Sequence, residues 1–105
     1  MNKLVRDNIP TIIEASGARC TYRVLNDEEF YKALKVKLEE EVTEFLESDD
    51  PSELIDIYEV LLAFLECSDI SLDTFLRAAE HKRNGNGAFK NKIFLSSVED
   101  NEVIF

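Results

Sequence analysis

Histidine and cysteine are scarce in this chain, and cations are few beside its acids. Twelve lysines and arginines stand against twenty-two aspartates and glutamates, for a formal charge of −10. A surface with that balance repels phosphate backbones and anionic headgroups, so we expect no direct binding to nucleic acid or membranes. An anionic small substrate stays open, because a bound cation inverts the local sign. The single histidine, His81, has no second histidine with which to form a ligand pair, and a surface or capping role is expected for it. Two isolated cysteines, Cys20 and Cys67, lack metal-type spacing and read as structural; whether they pair is open. No apolar run approaches the roughly 20 residues that span a bilayer. The opening Met1-Asn2-Lys3-Leu4-Val5-Arg6-Asp7 has no apolar core of a secretion signal. A cytoplasmic location with reduced thiols is the expectation. Repeats, low-complexity tracts and linkers are also missing, so residues 1–105 are expected to form one domain.

What is present is helical periodicity. Pro10 suits the first turn of a short helix through Thr11–Ala15, with Gly17 as its stop. Asn26 with Glu29 makes a capping box, followed by Phe30, Leu34, Leu38, Val42, Phe45 and Leu46 at helical spacing. A second long helix begins at Pro51 and carries Leu54, Ile57, Tyr58, Leu61, Leu62 and Leu65. It is apolar over most of its circumference beyond Tyr58, which marks it as the central, most buried helix. Ser71 caps another helix, whose inner face would be Leu72, Phe75, Leu76 and Ala79, and Asn84-Gly85-Asn86-Gly87 ends it. Cys20–Leu25 and Lys92–Ser96 are rich in β-branched and aromatic residues and suggest two short strands forming a small hairpin element. The expected class is an all-α bundle with that β element, its core completed by oligomerisation.

The chemistry concentrates at one turn. Glu41 and Glu44 are three residues apart before it, and Glu53 and Asp56 are three apart after it, so each pair shares a helix face. Folding back about a centre near position 48.5 sets Glu41 opposite Asp56 and Glu44 opposite Glu53. Four carboxylates in one interhelical gap repel one another and lose hydration unless a cation joins them. Hard oxygen donors in that number suit Mg²⁺. Glu53 has a second reading, as the capping-box acid of a helix with Asp50 as N-cap and Pro51 at the first position. Lys82 and Arg83 complement a helix C-terminus or hold phosphates, and both roles are open, as they are for Lys90 and Lys92. Lys3 and Arg6 are similar candidates, and Lys37 lies one turn before Glu41.

Three blocks together carry a resemblance. The E-E-x-x-E of Glu40–Glu44 with the E-x-x-D of Glu53–Asp56 resembles the metal motif of the MazG-like all-α nucleoside triphosphate pyrophosphohydrolases. The opening Asn2–Pro10, and Lys82-Arg83 with Gly87-Ala88-Phe89, are similar to the phosphoribosyl-ATP pyrophosphohydrolase-like branch. The similarity runs from about Lys3 to Leu95. It implies Mg²⁺-dependent cleavage between the α and β phosphates of a nucleotide, giving a monophosphate and pyrophosphate, on non-standard nucleotides for house-cleaning. It implies Glu41, Glu44, Glu53 and Asp56 as metal ligands, and Glu40 as an outer-shell partner or a base for the attacking water. Lys82 and Arg83 would contact phosphates, and a homodimer or homotetramer would complete the core. The chain departs from the family at Asn86, where Arg often stands, and in a short gap between its acidic motifs. Two other functions are open to this sequence: phosphoribosyl-ATP hydrolysis, and a non-catalytic acidic interaction module.

Overall fold

The computed structural model describes residues 2–99, and these form four α-helices: α1 (Ile9–Ala15), α2 (Asp27–Ser48), α3 (Glu53–Cys67) and α4 (Leu72–Asn86). The fold is all-α. The chain divides between Leu72 and Asp73 into two units, each described here by itself.

In the first unit, Pro10 occupies the opening turn of α1, and Gly17 ends the segment at φ 93°, where a side chain would be strained. The capping box of α2 forms as expected. Asn26 Oδ1 accepts from the Glu29 N–H at 2.9 Å, and Glu29 Oε1 accepts from the Asn26 N–H at 3.3 Å. The Arg23 guanidinium, 3.2 Å from Glu29, and then the Asn26 N–H hold the Glu29 carboxyl below its ordinary pKa. Asp49 closes α2 in the left-handed conformation at φ 55°, its N–H donating to the Phe45 carbonyl at 2.8 Å.

The chain then reverses through Asp50-Pro51-Ser52. Asp50 Oδ1 accepts from the Ser52 N–H at 2.9 Å, and the Asp50 N–H donates to Ser48 Oγ at 3.1 Å. Backbone bonds from Glu53 to Asp50 and from Leu54 to Pro51, both 3.0 Å, wind Pro51-Ser52 as a tight turn. The α-helix therefore starts at Glu53, two residues later than the proline suggests.

Helices α2 and α3 pack antiparallel about this turn. Leu34, Val60 and Leu65, between 2% and 9% exposed, are the buried hydrocarbon of the gap. The Tyr31 and Phe64 rings meet edge-on, centroids 5.5 Å apart, a favourable quadrupole arrangement. These two residues also lie nearly equidistant from the turn, so the register expected at the acidic end holds several turns further along the hairpin.

Three expectations are corrected. Neither Cys20–Leu25 nor Lys92–Ser96 is a strand, and no β element occurs among the described residues. A strand is stabilised by packing one pleated face. Here Tyr22, Val24, Ile93 and Phe94 are all 67–89% exposed, and Lys92 breaks its segment at φ 55°. Helix α3 carries the buried Val60 and Leu65, but its apolar surface is only partly covered, because Leu54, Ile55, Tyr58 and Leu61 face outward. In the second unit, α4 continues through Gly85 and ends at Gly87 (φ 88°), and none of its residues is buried, Phe75 and Leu76 included. Cys20 and Cys67 are both free thiols, and Cys20 Sγ contacts the Pro10 carbonyl at 3.8 Å.

Candidate metal centre

One half of the α2–α3 gap is filled by hydrocarbon, and the half nearer the turn by carboxylates. Glu41 sits at the centre of the second half. It faces α3 because it lies seven residues, two turns, beyond the buried Leu34, which returns it to the same face of α2. It is 5% exposed. Its Oε1 accepts from Lys37 Nζ at 3.1 Å, and its Oε2 is buried with no hydrogen-bond partner. An orphaned carboxylate oxygen in a folded interior is costly and calls for an explanation.

Its surroundings supply one. Oxygens of Glu41, Glu53 and Asp56 lie within 4.8 Å of one another, and oxygens of Glu40, Glu41 and Glu44 form a second such group. Glu41 belongs to both. Glu41 and Asp56 thus meet as the mirror pairing requires. Glu44 and Glu53 do not share a group, but Glu44 is the foremost of the charges that act on Glu53. Partial burial, followed by repulsion from Glu44, Asp56, Glu41 and Asp50, lifts the Glu53 carboxyl above its ordinary pKa. The capping role for Glu53 is unfilled, since the Asp50 N–H it would accept from is bound to Ser48. Burial, four-fold repulsion and one unpartnered oxygen suit a divalent cation, and the all-oxygen donor set suits Mg²⁺ rather than a thiophilic metal.

Basic side chains surround the acids. Arg6 Nη2 donates to Asp56 Oδ1 at 2.6 Å, and Arg6 Nη1 lies 3.9 Å from Glu59. Lys3 Nζ pairs with Glu40 at 3.4 Å, and Lys37 bridges Glu40 (3.5 Å) and Glu41. Burial lowers the Lys37 pKa, but its hydrogen bond to Glu41 and the charges of Glu40 and Glu41 together outweigh that and raise it. Glu40 is the converse case: burial raises its pKa, while Lys37 and Lys3 together bring it below the ordinary carboxylate range.

These groups open on a cleft of about 870 Å³, within the range of small-molecule sites. Glu41, Asp56, Glu59, Lys3, Arg6 and Lys37 line its polar part, and Leu4, Phe30, Leu34 and Val60 are among its apolar walls. Glu59 is a lining residue that the sequence reading passed over. Its position three residues beyond Asp56, on the same helical face, is the signal that identifies it. Lys82 and Arg83 lie on α4 in the second unit, as does His81, which is exposed.

No family model and no solved structure matches the chain. A 49-residue stretch is 49% identical to an uncharacterized protein of Mycolicibacterium smegmatis, covering 47% of this chain and 50% of that protein. The chain thus spans about half the length of this relative, whose name assigns no activity. No helix among the described residues is long and apolar enough to cross a membrane.

Proposed function

We propose that the chain is a Mg²⁺-dependent nucleoside triphosphate pyrophosphohydrolase, releasing a nucleoside monophosphate and pyrophosphate from non-standard or surplus nucleotides. The observation that carries this reading is the buried, unpartnered Oε2 of Glu41, a residue grouped with the Glu53 and Asp56 carboxylates and, with Asp56, lining a nucleotide-sized cleft. The ordered acidic and flanking blocks of the sequence support it from a second direction.

Glu41, Glu53 and Asp56 would hold the ion, with Glu44 beside them on the adjoining turn of α2. When bound, Mg²⁺ neutralises developing charge on the phosphates and makes water a better nucleophile. Lys37 holds one oxygen of Glu41 and so fixes the direction of the other, the positioning that outer-shell partners give a metal ligand. Glu40, whose pKa is held down by two lysines, remains an ionised acceptor at neutral pH. That suits it to orient the attacking water more than to take its proton. Lys3, Arg6 and Lys37 put positive charge on the cleft, where the triphosphate would lie, and the apolar walls would receive the base. The outward Leu54, Ile55, Tyr58 and Leu61 of α3 fit a homo-oligomer in which a second copy covers them. A MazG-like bundle in the cytoplasm is the setting this reading implies.

The test is a pyrophosphate-release screen over standard, damaged and phosphoribosylated nucleotides with and without Mg²⁺. Mg²⁺-dependent release that is lost in Asp56→Asn supports the proposal. Phosphoribosyl-ATP as the preferred substrate would move the assignment to that reaction. No turnover by any nucleotide at millimolar Mg²⁺ would leave a non-catalytic acidic module.

A further inference from the structure

The segment before α1 contributes cations to the acidic centre across long stretches of sequence. Arg6 reaches Asp56 at 2.6 Å and Glu59 at 3.9 Å, and Lys3 reaches Glu40 at 3.4 Å. Apart from the Arg6 carbonyl, which accepts from the Ile9 N–H at 3.1 Å, no backbone hydrogen bond is seen for residues 2–7 among the described residues. Asn2, Lys3, Val5, Arg6 and Asp7 are exposed, and Leu4 alone is half-buried. The segment is therefore tethered mainly by charge. Its anchor, Asp56, belongs to the same carboxylate group as Glu41, whose second oxygen stays unpartnered although Lys37 binds the first and Arg6 and Lys3 line the same cleft. The centre thus has two sources of positive charge available to one set of acids: a side-chain strap from its own chain, and a divalent ion.

We infer that the segment Lys3–Arg6 is an electrostatic strap that competes with a divalent cation for the acidic centre, with Arg6 released from Asp56 when the cation binds. A guanidinium and a dication sharing one carboxylate repel each other, and each weakens the other's hold by the same factor, as linkage requires. The strap lowers the affinity for free metal, and metal binding frees Arg6 for an anionic partner in the cleft. The inference rests on the metal-centre reading but not on the reaction proposed above.

The experiment is a calorimetric titration of the full chain with Mn²⁺ and with Mg²⁺, comparing wild type, Arg6→Met and Arg6→Lys. Loss of the charge in Arg6→Met is expected to tighten binding on the order of tenfold, with Arg6→Lys between it and wild type. In parallel, the Arg6 guanidinium ¹⁵N resonance of wild type should move toward that of a solvent-exposed arginine on adding Mg²⁺. Equal affinities in wild type and Arg6→Met would overturn the strap while leaving the metal centre intact. Weaker binding in Arg6→Met would also overturn it, making Arg6 a residue that orients Asp56. An absence of binding in all three proteins would remove the metal centre and the strap together. Tighter metal binding in Arg6→Met, with no nucleotide turnover by the wild type, would keep the strap and sink only the hydrolase assignment.

Discussion

The two halves of the α2–α3 gap are built on the same pair of helices in the same register, yet they are filled by opposite chemistry. Away from the turn, Leu34, Val60, Leu65 and the Tyr31–Phe64 ring pair do what a helical hairpin needs for folding. Near the turn the facing positions hold Glu41, Glu53 and Asp56, which hinder folding by repulsion and desolvation. Hydrocarbon at those positions would make a more stable hairpin. On the reading proposed above, the acids are explained by the ion they would hold, and the apolar half by what it supports.

The sharpest way to break this division is Glu41→Gln. It should reduce Mg²⁺-dependent pyrophosphate release by more than about a hundredfold, since loss of outer-shell partners alone costs roughly 10–100-fold. The metal-free protein should melt close to wild type, because the change removes a buried carboxylate with one unpartnered oxygen and leaves Lys37 still paired with Glu40. Next in size is Leu34→Ala in the apolar half, expected to cost about 2–5 kcal/mol in denaturant unfolding. Its remaining folded fraction should still respond to Mg²⁺. Asn26→Ala removes the cap at the far end of α2 and should cost about 1 kcal/mol, again without changing metal affinity.

The smallest effect is on pH dependence. The raised pKa of Glu53 means that the folded chain takes up this proton more readily than the unfolded one. Its contribution to metal-free stability therefore rises as pH falls through the raised value, and levels off below the ordinary carboxylate range. Glu53→Gln should flatten that part of the stability profile by comparison with wild type. An unchanged profile would mean that Glu53 stands clear of its neighbours.

Much of this was legible in the sequence because it depends on local spacing. The Asn26–Glu29 box, the reversal near Ser48–Pro51 and the mirror pairing of Glu41 with Asp56 all follow from periodicity within one hairpin. Features set by longer-range packing were not legible. Cys20–Leu25 has the composition of a strand but no surface to pack on, and propensity alone does not form one. The hydrophobic residues of α3 predict burial, but leave open whether one chain supplies it. The ties from Arg6 to Asp56 and from Lys3 to Glu40 span dozens of residues and have no periodic signal. Spacing alone leaves Glu53 open to a cap and a ligand role, and only the bond from the Asp50 N–H to Ser48 removes the cap.

Thermal unfolding of wild type and Glu41→Gln across a Mg²⁺ titration decides whether the polar half of the gap is a divalent-cation centre. Wild type should show a saturable rise in melting temperature, equivalent to about 2.7 kcal/mol at a hundred times the dissociation constant, and Glu41→Gln should show none. The same small, unsaturating rise in both proteins would mean that the ions merely screen an acidic surface, and would contradict a divalent-cation centre.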